Sequence, residues 1–150
     1  MGVVLAGTAG TDNHLASQYG GGQYANVTCF RAVERLSLEA LRSTEGVKPE
    51  AKAQKGGDIM DGLIVALDML SRHCGTKKYK KRIFVISDGE KEAKCSAEEK
   101  RQVIQSMNET DTRLNVITLD FCDDLEDDED EEEEGAEHKK EKHPSKETKA

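Results

Sequence analysis

The first residues of the chain place a buried strand directly before a glycine-rich turn. Four apolar residues, Val3–Ala6, lead straight into Gly7, and the turn that follows includes Asp12 and Asn13. A short apolar run bounded by a glycine is typical of a strand covered on both faces, as in a parallel sheet. The sequence therefore predicts a fold built around such a sheet, in which this strand needs neighbours from elsewhere in the chain.

Three later segments also have the composition of strands. Val27–Val33 mixes β-branched and aromatic residues with polar ones, Ile83–Ile86 is wholly apolar, and Leu114–Phe121 has Val116 among apolar neighbours. Between the first two strands, the segment 8–22 is rich in glycine and small polar residues, and we expect it to be a long loop. Residues 48–57 contain a proline and two glycines without an apolar run, so a connection is expected there.

Helices are expected between these strands. Ser37 is placed to cap a helix that ends at Gly46. Segment 58–73 carries apolar residues on more than one face, which indicates a helix buried on several sides. Ser96 and Glu99 form the spacing of a capping box at the start of a third helix. Strands that alternate with helices in this order predict an α/β fold, namely a doubly wound, mostly parallel sheet.

The charge separates the chain into two parts at about residue 121. Residues 1–122 are nearly balanced, whereas residues 123–150 carry 14 acidic against 5 basic side chains and account for the formal net charge of -8. Between Asp123 and Glu134 only Leu125 is uncharged. We expect one domain at 1–121, followed by an acidic and then Lys-rich tail or loop insertion at 122–150 that is disordered in water.

The sequence offers no catalytic constellation. The four cysteines lack a Cys-x-x-Cys pair, the four histidines are scattered, and Gly7–Gly10 lacks the Gly-Lys-Ser/Thr ending of a phosphate-binding loop. No stretch has the length and apolarity of a membrane span or the form of a signal peptide. We therefore expect a non-enzyme without a cofactor, inside the cell and away from membranes.

Four blocks in one order resemble the von Willebrand factor A domain in the large, eighty-kilodalton subunit of Ku, the DNA-end-binding heterodimer. The first is the turn Gly7, Thr8, Gly10, Thr11, Asp12 and Asn13. The others are Gln23–Thr28 with Arg31, the helix segment 58–68, and the basic lead-in and strand 77–88. Together they cover most of residues 3–121.

The resemblance implies a von Willebrand factor A (Rossmann-like) sheet whose first strand, normally between the second and fourth, is absent from this chain. It implies a role in double-strand-break repair by non-homologous end joining, in DNA recombination and in telomere maintenance. The expected partners are the smaller Ku subunit, end-joining proteins and, in the full-length parent, double-stranded DNA ends. We expect a nuclear protein-interaction module, with DNA-end binding by a missing β-barrel.

Many von Willebrand factor A domains hold a divalent cation, and only Asp88 stands at a matching ligand position here. Hard cations need several converging oxygen ligands, so an isolated carboxylate indicates no metal site. A turn at the end of the strand, with Gly89 supplying the bend, is the favoured interpretation of Asp88.

A basic cluster precedes the most apolar strand and has two interpretations. Five positive charges in six residues suit a phosphate backbone or a nuclear-import receptor. Alternatively, they form a solvated turn that keeps the apolar strand from aggregating, and this interpretation is favoured. The cluster consists of Lys77, Lys78, Lys80, Lys81 and Arg82.

Two other classes of protein remain open at this point. One is a metal-dependent ligand-binding von Willebrand factor A domain unrelated to Ku, and the other is a small α/β enzyme that binds a nucleotide or a flavin. Neither accounts for the glycine-rich turn and the Gln-Tyr-x-Asn-x-Thr block occurring together.

Overall fold

The computed structural model describes residues 1–20, 22–48, 57–89 and 92–119. Strands and helices alternate along these residues. In chain order they are β1 (Val3–Ala6), α1 (His14–Tyr19), β2 (Val27–Arg31), α2 (Leu38–Glu45), α3 (Ile59–Cys74), β3 (Lys81–Ser87), α4 (Ala97–Glu109) and β4 (Thr112–Thr118).

The strands form two pairs of opposite kind. β1 and β2 run antiparallel, with Ala6 opposite Val27, whereas β3 and β4 run parallel over seven residues each. The α/β class is confirmed, and so is parallel pairing for β3 with β4. For β1 the expectation of a parallel, fully covered strand is wrong, because β1 pairs antiparallel with β2 and is only partly buried. The two pairs are separate sheets within the described residues, so the described strands do not join into one continuous doubly wound sheet.

Helix α3 connects the two sheets through packing. One apolar cluster joins Leu63 and Leu67 of α3 to Ile83 of β3 and to two residues of α4. A second cluster joins Val65 to Val27 of β2 and to α1. Apolar residues on several faces of α3 are thus buried, as the sequence predicts. Full burial of a side chain of this size contributes roughly 1.5–3 kcal/mol.

The predicted helix starts are confirmed for α2 and α4. The Ser37 hydroxyl accepts a hydrogen bond from the backbone N–H of Ala40 at 3.1 Å, and Gly46 follows the helix. At α4 the capping box is complete, because Ser96 accepts from the N–H of Glu99 while the Glu99 carboxylate accepts from the N–H of Ser96. The hydrogen bonds that the backbone N–H and then the hydroxyl of Ser96 donate to the Glu99 carboxylate lower the pKa of Glu99.

The loop expected over segment 8–22 is wrong in its middle, where α1 forms. Asn13 has an extended backbone and its side-chain oxygen accepts from the N–H of Ala16 at 2.8 Å, which begins the helix. The six-residue helix ends at Gly20, whose φ of 63° suits glycine. Asn13 therefore acts as a helix cap, and Leu15 supplies the buried contact that holds the helix in place.

Other sequence expectations fall outside the described residues. The tail at 122–150 lies entirely there, as does most of the connection at 48–57. Among the residues that the structure describes, no helix is both long and apolar enough to cross a bilayer.

Candidate functional site

Two regions were singled out by the sequence, and they lie in different parts of the fold. The first is the glycine-rich turn between β1 and α1, which we call the signature turn (7–13). The second is the basic surface, defined by Lys77, Lys78, Lys80, Lys81 and Arg82 at the start of β3.

The signature turn is hydrogen-bonded to the segment before β2. Gly7 has a φ of 82°, which a glycine adopts without strain, and its N–H donates to the carbonyl oxygen of Asn26 at 2.8 Å. The N–H of Thr8 donates to the same oxygen at 3.0 Å. In return, the side-chain amide of Asn26 donates to the carbonyl oxygen of Thr8 at 2.8 Å. Asn26 thus holds the turn from both its backbone and its side chain.

The threonine hydroxyls complete the same network. Thr8 Oγ1 donates to the carbonyl oxygen of Gly10 at 2.7 Å and lies 2.9 Å from Thr28 Oγ1 on β2. Thr11 Oγ1 accepts from the N–H of Asn26 at 2.8 Å. Two of the blocks that carry the resemblance are therefore one hydrogen-bonded unit, although they are separate in the sequence.

The end of the signature turn extends the pairing of β2. The N–H of Asp12 donates to the carbonyl oxygen of Val27 at 3.1 Å, and the N–H of Cys29 donates to the carbonyl oxygen of Asp12 at 2.7 Å. Asn13 is only 5% exposed and donates to the carbonyl oxygens of Tyr24 and Val27 at 3.0 and 2.8 Å. The backbone and these side chains are thus engaged in structural hydrogen bonds.

The basic surface lies at the amino-terminal ends of the parallel strands. Lys77, Lys78 and Lys80 are exposed in the segment that connects α3 to β3. Lys81 is partly buried, and its ammonium group donates to the carbonyl oxygen of Thr110, after α4, at 2.8 Å. Four side chains of the cluster are therefore open to a ligand, and Lys81 also has a structural contact.

The register of β3 and β4 adds a sixth positive charge that the sequence interpretation missed. Arg82 and Arg113 are direct partners across the parallel pair, and both are exposed. A small cavity of about 70 Å³ lies between the strand ends. It is lined by Lys80, Lys81, Arg82, Asp111 and Arg113. Arg113 is 31 residues beyond Arg82 in the chain, so only the strand pairing reveals that they are neighbours.

Asp88 lies immediately after β3, where the strand-end turn was expected. Gly89 has a φ of 73°, and its N–H donates to Ser87 Oγ at 3.1 Å, so this glycine does supply the bend. Within the described part of the chain, no group of three or more His, Cys, Asp or Glu side chains is placed to hold a metal ion. That no metal binds here remains a prediction.

The acidic residues at the start of α3 have structural contacts. Asp58 caps the helix by accepting from the N–H of Met60 at 2.8 Å, and its other oxygen accepts from the N–H of Lys94 at 2.6 Å. Burial, and then the neighbouring Asp58 and Glu99 carboxylates, raise the pKa of Asp61.

The half-buried Cys29 and the exposed His14 do not form a nucleophile and base pair. Burial raises the pKa of the Cys29 thiol, which disfavours the reactive thiolate. His14 Nδ1 instead lies 3.4 Å from the carboxylate of Asp68 on α3. This contact joins α1 to α3 at the surface.

Comparison with known proteins gives one family and several relatives. The family model described as the Ku70/Ku80 N-terminal alpha/beta domain matches residues 1–138. X-ray repair cross-complementing protein 5 of Dictyostelium discoideum is 35% identical over 127 residues, which are 85% of this chain and 15% of that protein.

Relatives from a fungus and a plant match in the same way. ATP-dependent DNA helicase II subunit 2 of Coccidioides immitis is 27% identical over 82% of the chain and 16% of its own length. ATP-dependent DNA helicase 2 subunit KU80 of rice is 34% identical over 60% of the chain and 12% of its own length. The chain thus spans about one sixth or less of these relatives, and it belongs to the family of Ku70/Ku80 N-terminal α/β domains.

Proposed function

We propose that this chain supplies the N-terminal α/β domain of a large Ku subunit that acts in double-strand-break repair by non-homologous end joining. The observation that carries the proposal is the family match over residues 1–138, which includes every described strand and helix. The assignment to the large subunit is supported by the relatives named KU80 and X-ray repair cross-complementing protein 5. Telomere maintenance, DNA recombination and a nuclear location belong to the same proposal.

Within such a protein, this domain is the part that contacts other proteins. Its signature turn is occupied by structural hydrogen bonds, and its described residues form two small sheets around α3. We assign the binding of double-stranded DNA ends to the remainder of the parent protein, acting as a heterodimer with the smaller Ku subunit. End-joining proteins are the expected partners of the α/β domain.

Disruption of the gene tests the role in repair. We expect cells without it to be more sensitive to ionising radiation and to lose accurate joining of linear plasmid ends. Restoration of the unaltered gene is the control. Unchanged radiation sensitivity and unchanged end joining would refute the proposed function.

A separate measurement tests the division of labour. The purified chain is titrated with a blunt linear duplex and with a closed circle of the same sequence. Only the linear duplex has ends, so a chain that does not recognise ends binds both DNA molecules equally. We expect the chain to bind both of them weakly, with an affinity that falls as the salt concentration rises. Tight binding to the linear duplex alone would place end recognition in this chain.

We propose further that this chain is not an enzyme. The fungal and plant relatives described above carry the words ATP-dependent DNA helicase in their names, but residues 7–10 lack the Gly-Lys-Ser/Thr ending that holds nucleotide phosphates in a phosphate-binding loop. The purified chain is therefore expected to release no phosphate from ATP above a buffer blank, with or without DNA. Turnover that copurifies with the chain and is saturable in ATP would contradict this expectation.

The basic surface supports a second, weaker candidate function, which is contact with a phosphate backbone or an import receptor. The neighbouring Arg113 favours it, because six positive side chains then cluster at one end of the β3–β4 pair. The alternative is a solvated turn that only keeps the apolar strand soluble. Lys81 is excluded from a test by mutation, since its contact with Thr110 holds β3 to the end of α4.

The test therefore replaces the four freely exposed residues of the cluster. If the surface meets phosphates, each lost contact lowers the salt slope of DNA binding by about 0.9. Replacement of Lys94, Lys100 and Arg101 by Ala is the control elsewhere on the surface. If the fourfold variant kept the DNA affinity, the salt slope and the nuclear import of the unaltered chain, only the interpretation of the basic surface as a solvated turn would remain. The four replacements are Lys77→Ala, Lys78→Ala, Lys80→Ala and Arg82→Ala.

A further inference from the structure

A cleft lies beside the basic surface, between the segment that joins α3 to β3 and the segment that joins α4 to β4. It has a volume of about 620 Å³, and its walls are mainly residues 75–81 on one side and residues 109–111 on the other. It shares Lys80 and Lys81 with the small cavity between the strand ends. The cleft and the cavity are therefore continuous, and we call them together the basic cleft.

The charges of the basic cleft are not balanced within the described residues. The basic surface and Arg113 supply six positive side chains, whereas Glu109 and Asp111 supply two negative ones. Glu109 also accepts a hydrogen bond from the side-chain amide of Gln105 at 2.8 Å, so it is engaged on α4. None of the six positive side chains forms an ion pair in the part of the chain that the structure describes. Since clustered like charges repel each other, an anion in the basic cleft would relieve this repulsion.

The same chain carries a polyanion. Eleven of the twelve residues 123–134 are acidic, and this acidic run lies outside the described residues. Blocks of like charge are often interaction segments. Carboxylates form charge-assisted hydrogen bonds with both lysine and arginine, which are the two cations of the basic cleft. The acidic run is therefore complementary in charge to the basic cleft.

The acidic run starts close enough to the sheet to reach the basic cleft. The N–H of Leu119 donates to the carbonyl oxygen of Ser87 at 2.9 Å, which fixes the chain at the carboxyl end of the β3–β4 pair. The basic cleft lies at the amino-terminal end, about 20 Å away along the length of β4. An extended chain spans about 3.3 Å per residue, so the second half of the acidic run, residues 128–134, is within reach.

We propose that the acidic run 123–134 binds in the basic cleft of its own chain and there competes with phosphate groups. Because both partners belong to one chain, a short connection between them gives an effective concentration on the order of millimolar. Each carboxylate that pairs with a lysine or an arginine removes one site for a phosphate. A nucleic acid therefore has to displace the acidic run before it binds. The competition rests on the proposed contact of the basic surface with phosphates, whereas the contact within the chain does not.

Zero-length crosslinking with a carbodiimide tests the contact in the full 150-residue chain. The reagent joins a carboxylate to a lysine amine only where the two touch, and mass spectrometry of the monomer band identifies the linked peptides. Lys94 and Lys100 are the matched control, because both are exposed at the start of α4, which is at the same end of the sheet as Leu119. Proximity along the chain alone would therefore favour these two control lysines.

We expect crosslinks from the acidic run to the lysines of the basic surface to exceed those to the control lysines several-fold at low salt. They are expected to disappear at about 0.5 M salt, because salt screens exposed charges. Equal yields at the two sets of lysines would overturn the proposal, since the acidic run would then touch the surface at random. Crosslinks found only between two copies would also overturn it, because the occupant would then belong to a second chain.

A titration with duplex DNA tests the competition. In the neutralised variant, each Asp of 123–134 is replaced by Asn and each Glu by Gln. This variant is expected to bind DNA about tenfold more tightly than the unaltered chain at low salt. An unchanged DNA affinity would refute the competition, and the crosslinks would still decide the contact within the chain.

Two further variants separate the basic cleft from the change in net charge, and both carry the neutralised run. One adds the fourfold replacement of the basic surface described above, and it is expected to lose the gain in DNA affinity. The other adds the control replacement of Lys94, Lys100 and Arg101 by Ala, and it is expected to keep most of the gain. Equal losses in the two variants would show that the acidic run acts only through net charge, which would overturn the competition at the basic cleft.

Discussion

The side-chain amide of Asn13 donates a 2.8 Å hydrogen bond to the carbonyl oxygen of Val27, the residue at the start of β2. Val27 is completely buried, so water cannot replace this bond if it is lost. The same side chain donates to Tyr24 and caps α1. Asn13 thereby connects the start of α1, the start of β2 and Tyr24, whose backbone has the left-handed conformation with a φ of 54°.

Replacement of Asn13 by Ala is therefore expected to destabilise the fold strongly. It removes the two hydrogen bonds that the Asn13 amide donates to carbonyl oxygens, one of them buried, and it removes a helix cap, which together cost about 2–4 kcal/mol. Urea unfolding followed by circular dichroism measures the change. Asn108→Ala, at an exposed position of α4, is the matched control and is expected to stay within about 0.5 kcal/mol of the unaltered chain. Equal midpoints for the two variants would show that the Asn13 contacts contribute little.

The sequence predicts the local elements of this fold better than their arrangement. The capping box at Ser96 and the apolar faces of α3 depend on residues that are close in the chain, so their patterns are visible in the sequence. Helix α1 was missed because it has six residues and depends on two distant contacts, namely the burial of Leu15 against β2 and the fixed position of Asn13. The glycines around it suggested a loop.

The candidate site shows the same limit. The basic surface is contiguous in sequence and could be identified at once, whereas Arg113 joins it only through the register of β3 with β4. The exposure of several large apolar side chains of β3 and β4 is likewise invisible in the sequence, because an apolar strand looks the same whether one or both of its faces are covered. Long-range pairing decides both features.

Gly57 provides a test of how closely the signature turn packs against the segment before α3. A Cβ atom at Gly57 would lie 2.7 Å from both the carbonyl oxygen of Asn26 and the amide nitrogen of Gly7. Because both atoms belong to the backbone, Gly57→Ala is expected to cost about 1–3 kcal/mol. Gly10→Ala is the control, since a Cβ atom there meets nothing within 4 Å. Thermal unfolding of the two variants compares them, and a Gly57→Ala midpoint as high as that of Gly10→Ala would contradict the close packing.

The capping box at α4 is expected to respond to the loss of its hydroxyl. Ser96→Ala removes the acceptor for the N–H of Glu99 and should destabilise the protein by about 1 kcal/mol. Ser96→Asn retains a capping oxygen and is expected to stay close to the unaltered protein. Chemical denaturation at pH 7 measures both. If the alanine and asparagine variants had the same stability, the cap would contribute nothing to folding.

The stability of the domain is expected to depend on pH through Asp61. Burial, with Asp58 and Glu99 nearby, raises the pKa of Asp61, so the folded state binds its proton more tightly than the unfolded state does. The charged form of Asp61 is therefore less stable in the folded state than in the unfolded state. As the pH rises from the ordinary pKa of Asp61 to its raised pKa, ionisation of this residue lowers the free energy of unfolding, and above the raised pKa the full cost is present.

Asp61→Asn removes the charge and is expected to raise the free energy of unfolding at pH 7. Because a protonated Asp61 is also uncharged, the gain should shrink as the pH falls below the ordinary range of a carboxyl group. Urea titrations of both proteins between pH 3 and pH 7 measure it, and a gain that is as large at pH 3 as at pH 7 would assign the effect of the substitution to packing and not to charge.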